Sequence, residues 1–501
     1  MTRKWEIIRK DGVNSKQDKA LGGAHYILYW MQAAQRVQYN PAFAYAVQRA
    51  NQLQLPLLVL FVVLKGYPEA NGRHYQFMFE GLPALADDLR PTGAVLVIGS
   101  DDAVRGVETL ARLAAEVITD SAVLRHKRQW VAELKSALSI PLVTINSEYL
   151  FAPGSLTDKP PYNAAVVRKR IYQKINEGFI NSEQDWLKSS GIVRQSFQQD
   201  WFARMGLAGL PAGKYRLVRN RAEAKAWLAA LSEHLHIDNS VTPVPACRGG
   251  RQAAIDRINL FIHNQLAQYT GGRNDPAVDR QSGVSPYLHF GQISVAEILL
   301  QIAGALQMSG TTFLSRVSEP SHEPAGSPLQ QSALEFFEQL VVRRELAANF
   351  CWWEPNYDSY ICLPEWAKTS LREHEADKRP YLYTLEQLEQ AETHDGAWNT
   401  AQTELLKTGR MHGYLRMYWG KQILQWTASP AEAFRIALGL NNKYALDGRD
   451  VNSYAGIAWC FGKHDRPWTT RPVYGMIRCM TLSGLQRKID LRAYQDRIRL
   501  L

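Results

Sequence analysis

Five short apolar runs separated by helical stretches occupy the first 150 residues, and this alternation constrains the fold more than any other feature of the chain. The intervening stretches, such as Ala42–Gln52 and Tyr75–Leu89, have a helical pattern. Short, continuously apolar strands that alternate with helices are typical of a parallel sheet covered on both faces. We therefore expect residues 1–150 to form an α/β domain with a parallel, Rossmann-like sheet. The predicted strands are His25–Met31, Leu55–Leu64, Ala94–Ile98, Glu116–Thr119 and Leu142–Ile145.

The rest of the chain has a different pattern. Residues 151–250 combine Pro- and Gly-rich stretches with a basic helical segment, V-V-R-K-R-I-Y-Q-K, and are predicted to be a connector that contains helices. From Gln252 the pattern is helical almost to the end, and Ser309–Gln330 is interpreted as an exposed insertion because it is rich in Pro and Ser. A length of 501 residues exceeds the usual size of one domain. We therefore predict an all-α domain over residues 251–501.

Charge and cysteine content narrow the possible functions. The net charge of +10 suits a polyanionic partner, although a basic protein without such a partner fits it equally well. The five Cys residues form no C-x-x-C pair, which argues against a zinc ribbon, an iron–sulfur cluster or a disulfide scaffold and suits a reducing cytosol. The N-terminus has no apolar signal core, and no run of 18 apolar residues occurs. We expect a cytoplasmic protein that does not enter a membrane, associated with the nucleoid if its source is a bacterium.

One stretch combines small residues, helix starts and an arginine. The segment Y-T-G-G-R-N-D-P, from Tyr269 to Pro276, is predicted to end a helix in a Gly turn. Ser285 followed by Pro suits the start of the next helix, and Ser294-Val-Ala-Glu297 is a capping box. Backbone N–H groups and Arg273 could cradle a phosphate there. Two capped helices joined by turns explain the same residues.

Tryptophans recur in the last quarter of the chain. Trp419 and Trp426 are seven residues apart, so on a helix they share one face about 10 Å apart along the axis. Trp398 lies upstream and Trp459 downstream. Indoles pack in cores, stack on bases or carry an electron. Packing alone explains any one of them, so their role depends on their surroundings.

Several long motifs, in order and with matching spacing, resemble the class II cyclobutane pyrimidine dimer (CPD) photolyases. The similarity extends over roughly residues 20 to 490 and is densest from Tyr269 to Lys488. The resemblance implies FAD as cofactor and light-driven repair of dimers in double-stranded DNA by a monomer. The motifs are G-R-N-D-P, S-P-Y-L-H-F-G-Q-I-S, V-R-R-E-L-A-A-N-F-C, G-R-M-H-G-Y-L-R-M-Y-W, L-N-N-K-Y-A-L-D-G-R-D and Y-A-G-I-A-W.

The resemblance also assigns cofactor-binding roles in the helical domain. Asn441 would lie by flavin N5, where an amide can either accept or donate a hydrogen bond. Arg416 and Asp447 would form a charge pair beside the isoalloxazine, although a structural salt bridge is the alternative for both. Residues that would line the phosphates and ribityl chain are Tyr269, Arg273, Ser282, Gly283, Val284 and Ser285.

Electron transfer and DNA contacts are assigned in the same way. Trp398 and Trp419 resemble the family's electron-transfer pair, with Trp426 on the flavin side of that route and Tyr383 and Tyr418 as accessories; core packing is the alternative. A flipped-out pyrimidine pair needs a flat apolar surface in place of base stacking. The residues implied to form that surface are Met417 and Trp459, and those implied to contact the DNA backbone and the gap left by the dimer are Arg466, Trp468 and Arg478.

One position departs from the family pattern. Class II photolyases have an acidic residue that hydrogen-bonds the dimer, and the register of F-F-E-Q-L-V-V-R-R-E-L places it at Gln339, next to Glu338. Where some members have an aromatic residue one turn later, this chain has Arg343. On an α-helix neighbouring residues point about 100° apart, so only one of positions 338 and 339 can face the pocket well. The expected register therefore places Gln339 in the pocket, and Glu338 is the alternative if the register is off by one residue.

Two functions follow from these observations. The first is light-driven repair by electron transfer from excited, reduced FAD to a flipped-out dimer. The alternative is a cryptochrome-like blue-light receptor without repair turnover, which Gln339 and Arg343 favour. The chain lacks the fingerprint of a nicotinamide-dependent redox enzyme, since no G-x-G-x-x-G follows the first strand. The N-terminal sheet could in addition hold an antenna chromophore of the deazaflavin type.

Overall fold

A seven-stranded sheet forms the core of the N-terminal part. The computed structural model describes the backbone of residues 5–8 and residues 24–175, 192–197, 214–318 and 326–501. In this part of the chain the strand order is β1-β6-β5-β2-β3-β4-β7. The strands are β1 (Trp5–Ile8), β2 (Tyr26–Trp30), β3 (Leu57–Leu64), β4 (Val95–Asp101), β5 (Ala114–Asp120), β6 (Leu142–Ile145) and β7 (Tyr215–Val218).

Strands β2 to β6 run parallel, and they are the five strands that the apolar runs predict. In register, Val59 of β3 lies between Tyr29 of β2 and Leu96 of β4, and all three side chains are buried. β1 pairs with β6 and β7 pairs with β4, both antiparallel, at the two edges of the sheet. Neither edge strand was predicted, because each lies outside the alternating strand–helix pattern.

Helices cover both faces of the sheet. Asn40 caps the first of them, accepting a hydrogen bond from the Phe43 backbone N–H at 3.0 Å, and Pro41 occupies the first turn. The last helix comes from the predicted connector, yet Trp227 on it donates its indole N–H to the Ile98 carbonyl of β4 at 2.9 Å. The connector therefore contributes both a strand and a helix to the α/β layer. These helices are Pro41–Leu53, Gly72–Leu89, Ala103–Ala111, Arg125–Ala137 and Arg221–His234.

The second part of the chain is helical, as predicted. A π-helical turn, Glu338–Arg343, separates two of its helices, and short 3-10 turns lie at Arg90–Thr92, Leu266–Gln268 and Tyr360–Cys362. Residues 164–175 are also helical. The remaining helices are Arg251–Asn264, Tyr269–Gly272, Ser285–His289, Val295–Ala305, Gly310–Ser318, Pro328–Phe337, Arg344–Trp353, Glu365–Glu373, Leu385–Glu389, Gly396–Thr408, Gly413–Trp426, Pro430–Tyr444, Val451–Cys460, Leu482–Gln486 and Leu491–Arg499.

The expectation of an exposed insertion over Ser309–Gln330 is wrong for its first half. Gly310–Ser318 is a helix that buries Phe313 and Val317, which lie four residues apart on one face. The many Ser and Pro residues of the wider segment obscured this local pattern. Residues 319–325 lie outside the described residues.

A buried arginine of the α/β layer, Arg73, binds backbone carbonyls of the helical domain. Arg73 donates to the carbonyls of Tyr444 at 2.6 Å, Leu406 at 2.5 Å and Thr242 at 2.9 Å. Burial lowers the pKa of Arg73 to about 10. Several charge-assisted hydrogen bonds from one guanidinium restrict the relative position of the two layers. These bonds therefore also fix the shape of any cleft between the α/β layer and the helical domain.

No helix among the described residues combines the length and apolar composition needed to cross a membrane by itself. Val295–Ala305 and Gly310–Ser318 pass such a test only together, as a pair bent by 95°.

Candidate active site

Three buried tryptophans form a row inside the helical domain. The rings of Trp398 and Trp419 are stacked, with centroids 6.2 Å apart and planes 7° apart, and Trp426 meets Trp398 edge-on at 5.7 Å. All three side chains are at most 2% exposed. We call Trp419, Trp398 and Trp426, in that spatial order, the tryptophan row. The predicted pairing of Trp398 with Trp419 therefore exists as a ring contact.

Polar groups fix the two stacked rings. The indole N–H of Trp398 donates to the Trp419 carbonyl at 3.0 Å, and that of Trp419 donates to Gln402 Oε1 at 2.9 Å. Asp395 caps the helix Gly396–Thr408 by accepting from the backbone N–H of Trp398 at 3.0 Å. Asp395 also accepts a short hydrogen bond from Tyr418, and burial raises the pKa of that phenol. The rings thus stay in contact without rotation of either indole.

The position of Trp426 in the row differs from the expected one. Trp426 lies at the end next to the half-buried Tyr383 and the exposed His394, whose rings are 5.6 Å and 5.2 Å from its own. The opposite end, Trp419, lies one helical turn after Arg416. Trp426 is therefore on the solvent side of the row, and its place relative to a flavin stays a prediction. Helix geometry explains this position, because Trp426 lies about two turns beyond Trp419 and nearly three turns from Arg416.

Arg416 and Asp447 face each other across a gap. Arg416 Nη2 is 4.0 Å from Asp447 Oδ1, and the buried Arg416 Nε and Asp447 Oδ1 have no hydrogen-bond partner. Buried charged atoms without partners are costly unless another group satisfies them. Asn441 is 1% exposed, and its amide makes only a 3.4 Å contact with Asn442. These three side chains have unused hydrogen-bonding capacity.

The turn before the helix Ser285–His289 is held by an arginine that the motifs did not single out. Arg257 donates to the carbonyls of Gln281 at 2.8 Å and Ser282 at 2.6 Å. Gly283 has φ +66°, and a Cβ there would lie 2.7 Å from Arg257 Nε. Only glycine fits both the left-handed backbone and the close guanidinium. The sequence signal for this role was weak, because Arg257 lies on an ordinary amphipathic helix.

Other predictions for this segment are corrected in detail. Ser285 is the first helical residue and its side chain makes no cap, since Val284 occupies the N-cap position. Ser294 does cap its helix, accepting from the Glu297 N–H at 3.0 Å. The Glu297 carboxylate does not return the bond, because Arg251 binds it at 2.7 and 2.9 Å.

Tyr269 and Arg273, the first residues of the predicted phosphate cradle, lie on and directly after the short helix Tyr269–Gly272. The Tyr269 ring is buried edge-on against Phe261 and Phe336, and burial raises its pKa. Arg273 Nε lies 2.7 Å from Glu335 Oε1. Both residues thus contact the helix Pro328–Phe337, and Tyr269 contributes mainly packing.

A buried charge cluster was missed from the sequence. Asp450 accepts from His289 at 3.3 Å and lies 3.7 Å from Arg344 Nη1. Burial alone would raise the pKa of Asp450, but Arg344 and His289 hold it well below its usual range. Arg344 Nε and Nη2 have no hydrogen-bond partner. The signal that could have revealed it is the charged pair Arg344 and Glu345 within an otherwise apolar, buried helix.

A second group of tryptophans lies beside Lys421 of the helix Gly413–Trp426. Lys421 on that helix donates to the Cys460 carbonyl at 2.7 Å, and its Nζ is 5.1 Å from the Trp459 ring centroid. Burial lowers the pKa of Lys421 to about 8. Arg478 reaches both Trp459, at 5.9 Å, and Trp468, at 4.9 Å. We call Trp459, Trp468, Arg466 and Arg478 the cationic tryptophan group, since Arg466 also covers the Trp468 ring at 5.2 Å.

The exposure of this group differs from that of the tryptophan row. Trp468 is 38% exposed, Arg466 is exposed, and Trp459 and Arg478 are partly exposed. Met417 is half buried on the helix Gly413–Trp426, next to Arg416. Flat rings flanked by guanidinium groups at a surface can stack on bases and bind phosphates.

Glu338 and Gln339 begin the π-helical turn. Glu338 accepts two hydrogen bonds from Arg168, at 2.7 and 2.9 Å, and its Oε1 lies 3.3 Å from Arg343 Nε. The i→i+5 geometry of a π-turn brings Glu338 and Arg343 together. His464, two residues before Arg466, donates from Nδ1 to the Tyr162 carbonyl at 3.1 Å, and Tyr162 belongs to the same connector as Arg168. Glu338 thus shares this side of the molecule with the cationic tryptophan group.

An aromatic cleft lies between the sheet and the helical domain. Its cavity volume is about 100 Å³, and it opens at the carboxyl ends of β2 and β3. In parallel α/β sheets this edge is where ligands bind. Gln32 and Gln35 each have a buried side-chain oxygen without a partner there. The rings that line the cleft are Trp30, Phe61, Tyr67, Tyr75, Trp130 and Phe290.

Comparison with known proteins identifies the class to which this fold and site belong. Residues 27–181 match the family model described as DNA photolyase. The deoxyribodipyrimidine photo-lyase of Methanothermobacter thermautotrophicus is 38% identical over 95% of this chain and 94% of its own length. The chain therefore belongs to the DNA photolyase family.

Solved structures agree at the level of the fold. A class III photolyase from Agrobacterium tumefaciens superimposes with a TM-score of 0.63 over 95% of this chain and 86% of that one, at 16% identity. An archaeal photolyase from Sulfolobus tokodaii, described with two FAD molecules and as implying a novel light-harvesting cofactor, gives a TM-score of 0.60 at 15% identity, over 94% of this chain and 88% of that one. The predicted combination of an α/β domain and a helical domain is confirmed.

Proposed function

We propose that this chain is a class II photolyase that repairs cyclobutane pyrimidine dimers in double-stranded DNA with light. The observation that carries the proposal is the tryptophan row, which leads from the Arg416 side of the helical domain toward its surface. The name of the Methanothermobacter thermautotrophicus relative supports the substrate class. FAD, when bound and reduced, supplies the light-driven one-electron chemistry. The residues of the chain bind it, supply it with electrons and position the dimer.

The side chains around Arg416 fit a flavin. An isoalloxazine carries both acceptors and N–H groups, so it can satisfy a guanidinium, a carboxylate and an amide together. The unpartnered Arg416 Nε and Asp447 Oδ1 and the spare amide of Asn441 are such groups. The Ser282–Ser285 turn would hold the phosphates, with Arg257 fixing its backbone. Excluding water from this region strengthens each of these polar contacts.

The tryptophan row would deliver electrons to the cofactor. Indole and phenol side chains are the oxidisable groups of a protein interior, and their close succession here spans the distance from Arg416 to the solvent side. Buried neighbours such as Gln402 keep the indole N–H groups paired.

The cationic tryptophan group would bind the damaged DNA. Trp459, together with Met417, offers a flat apolar wall for a flipped-out dimer. Arg466, Trp468 and Arg478 would contact the backbone and the gap left in the duplex. Neutralising phosphates releases counterions, so binding should weaken as salt increases.

Glu338 is the better candidate for the acidic group that contacts the dimer. Its carboxylate pairs with Arg168 and Arg343 on the side of the molecule that carries the cationic tryptophan group. Gln339 was the residue that favoured a receptor without repair turnover. With Glu338 in this place, the receptor alternative has no observation in its favour beyond Arg343.

The aromatic cleft would hold the antenna chromophore. Its rings suit a flat conjugated ligand, and the unpartnered oxygens of Gln32 and Gln35 can accept hydrogen bonds from one. A deazaflavin is the proposed ligand, and the light-harvesting cofactor of the Sulfolobus tokodaii protein is a precedent for a second chromophore in this fold.

The proposed function is tested with purified protein and a dimer-containing oligonucleotide. We expect flavin absorption bands, restoration of intact pyrimidines in the light, and none in the dark. Undamaged DNA and DNA with another photoproduct are the controls. Flavin binding without light-dependent repair, after chemical reduction of the flavin, would contradict the proposal and favour a receptor.

The two candidate pocket residues are separated by substitution. Glu338→Gln should lower the repair yield of the fully reduced enzyme and weaken dimer binding by about 1–3 kcal/mol, the cost of an unsatisfied buried partner. Gln339→Leu is the matched control on the neighbouring position and should change little. The reverse result, with Gln339→Leu impaired and Glu338→Gln unchanged, would restore the register expected from the sequence.

A further inference from the structure

The tryptophan row continues into three side chains at the surface. Tyr383 meets Trp426 edge-on at 5.6 Å, and its backbone N–H donates to the Trp426 carbonyl at 3.1 Å. His394 lies 5.2 Å from the Trp426 ring and stacks on Tyr381 at 3.7 Å. Tyr381 is 45% exposed. We call Tyr383, His394 and Tyr381 the aromatic exit of the row.

The hydrogen bonds of Tyr383 define where its phenolic proton lies. The backbone N–H of His394 donates to the Tyr383 oxygen at 2.9 Å, so that contact uses the oxygen as an acceptor. The second contact, between Tyr383 Oη and His394 Nδ1 at 2.7 Å, is left for the hydroxyl hydrogen. A neutral imidazole with its hydrogen on Nε2 accepts that bond at Nδ1. The phenol thus points its proton at a base.

This arrangement matters because a phenol is hard to oxidise while it keeps its proton. Loss of the electron alone would leave a strongly acidic radical cation. A base within hydrogen-bond distance allows the proton and the electron to leave together. Tyr418, the other tyrosine next to the row, donates to the carboxylate Asp395 but is only 1% exposed, so an external reductant cannot reach it.

We propose that Tyr383 is the terminal electron donor of the row and that His394 is the base that takes its proton. The inference rests on the proposed function, in which light-excited, oxidised FAD is the oxidant that withdraws one electron through the row. The electron that refills the oxidised Trp426 comes from Tyr383. The O–H bond of Tyr383 breaks, its proton forms a bond to His394 Nδ1, and a neutral tyrosyl radical and an imidazolium remain.

The cycle closes at the surface. A soluble one-electron reductant, such as a thiolate, returns an electron to the tyrosyl radical, and the imidazolium returns the proton to the phenolate oxygen. The thiolate becomes a thiyl radical, so charge and electrons balance. The tyrosyl radical at Tyr383 is neutral and lies beyond Trp426. Back-transfer of the electron from the flavin to this radical is therefore slowed.

The test is flash-induced transient absorption and electron spin resonance of the FAD-loaded protein, without DNA. In the parent we expect tryptophan radical signals to give way to a neutral tyrosyl radical, with slower formation in D₂O than in H₂O. Tyr383→Phe should remove the tyrosyl signal and shorten the life of the tryptophan radical. His394→Gln keeps a hydrogen-bond acceptor but not a base, and should suppress the tyrosyl signal and its isotope effect.

Tyr381→Phe is the matched control, because it keeps the ring on His394 and removes only an exposed hydroxyl. It should retain the tyrosyl radical of the parent. Added imidazole should partly restore the tyrosyl signal in His394→Ala, since the side chain is exposed. FAD content and circular dichroism of each variant establish that it is folded and loaded.

The outcomes distinguish this inference from the proposed function. Tryptophan radicals in the parent with no tyrosyl radical, or an unchanged tyrosyl radical in Tyr383→Phe, would overturn the inference and leave the row intact. A tyrosyl radical that persists with its isotope effect in His394→Gln would overturn the role of His394. No tryptophan radical in the parent would overturn the electron route and the inference with it.

Discussion

The helical domain contains two groups of tryptophans whose surroundings differ completely. In the tryptophan row, each ring contacts another ring, and protein carbonyl or amide oxygens accept the two stacked indole N–H groups. In the cationic tryptophan group, Trp459 and Trp468 are flanked by Lys421, Arg466 and Arg478 and reach the surface. The helix Gly413–Trp426 carries Trp419 and Trp426 of the row, and its Lys421 lies against Trp459 of the cationic tryptophan group.

The difference shows that the chemistry of an indole is decided by its neighbours. A positive charge over a ring stabilises its electrons and makes the ring harder to oxidise. The cationic tryptophan group is thus suited to stacking and phosphate contact, and poorly suited to donating an electron. Among the described residues, no lysine or arginine lies over a ring of the tryptophan row, which is suited to the opposite role. The following predictions test whether the two roles can be separated.

The largest effect is expected from Trp419→Phe. Phenylalanine keeps the shape of the stacked partner but is much harder to oxidise, so light-driven reduction of bound FAD should slow at least about tenfold, the change that about 1.4 kcal/mol in a barrier produces. The measurement is flavin bleaching under illumination with an external reductant. Trp353→Phe, at a partly exposed tryptophan outside both groups, is the control. Photoreduction at the parent's rate in Trp419→Phe would show that electrons bypass the row.

The second-largest effect is expected in the cationic tryptophan group. Trp459→Ala should weaken binding of dimer-containing DNA by about 1–3 kcal/mol, the worth of one stacked base on an aromatic ring. Binding of undamaged DNA should change little, and so should photoreduction. An equal loss for both DNAs would mean that Trp459 supports general contact or folding instead of the flipped dimer.

The smallest effect is expected from Arg478→Ala. Removing one phosphate contact should reduce the salt dependence of binding by about one unit of slope, similarly for damaged and undamaged DNA. Arg499→Ala, which removes an exposed arginine of the C-terminal helix, is the matched control and should leave the slope unchanged. If both variants behave alike, Arg478 does not contact the backbone, and only the tryptophans distinguish the cationic group.

Much of the architecture could be predicted from local patterns. The strands β2 to β6 follow from continuous apolar runs, because a strand covered on both faces has no polar side. The edge strands and the helix Gly310–Ser318 could not be predicted, since their formation depends on partners distant in the chain. The helix Arg221–His234 likewise joins the α/β layer only because it packs against Gly72–Leu89 and β7.

The candidate site likewise has features that the sequence predicts and others that only the structure shows. The types of residue needed for an electron route and a DNA-binding surface were evident, and Trp398 and Trp419 were correctly paired. Arg257 and the cluster of Arg344 with Asp450 were missed, because a buried charge is recognisable only by what surrounds it. The proposed preference for Glu338 over Gln339 rests on the π-turn and on Arg168, neither of which a local pattern shows.

The sequence by itself determined strands β2 to β6 and the helical character of the second part of the chain, because apolar periodicity and caps act over a few residues. It also determined the oxidisable, cationic and apolar side chains available to the site. Only the tertiary structure decided the direction of the tryptophan row. Trp426 lies toward the solvent because helix pitch separates it from Arg416, and because Tyr383 and His394, more than 30 residues upstream in the chain, fold against it. Distances between residues from different segments depend on packing, which no local pattern encodes.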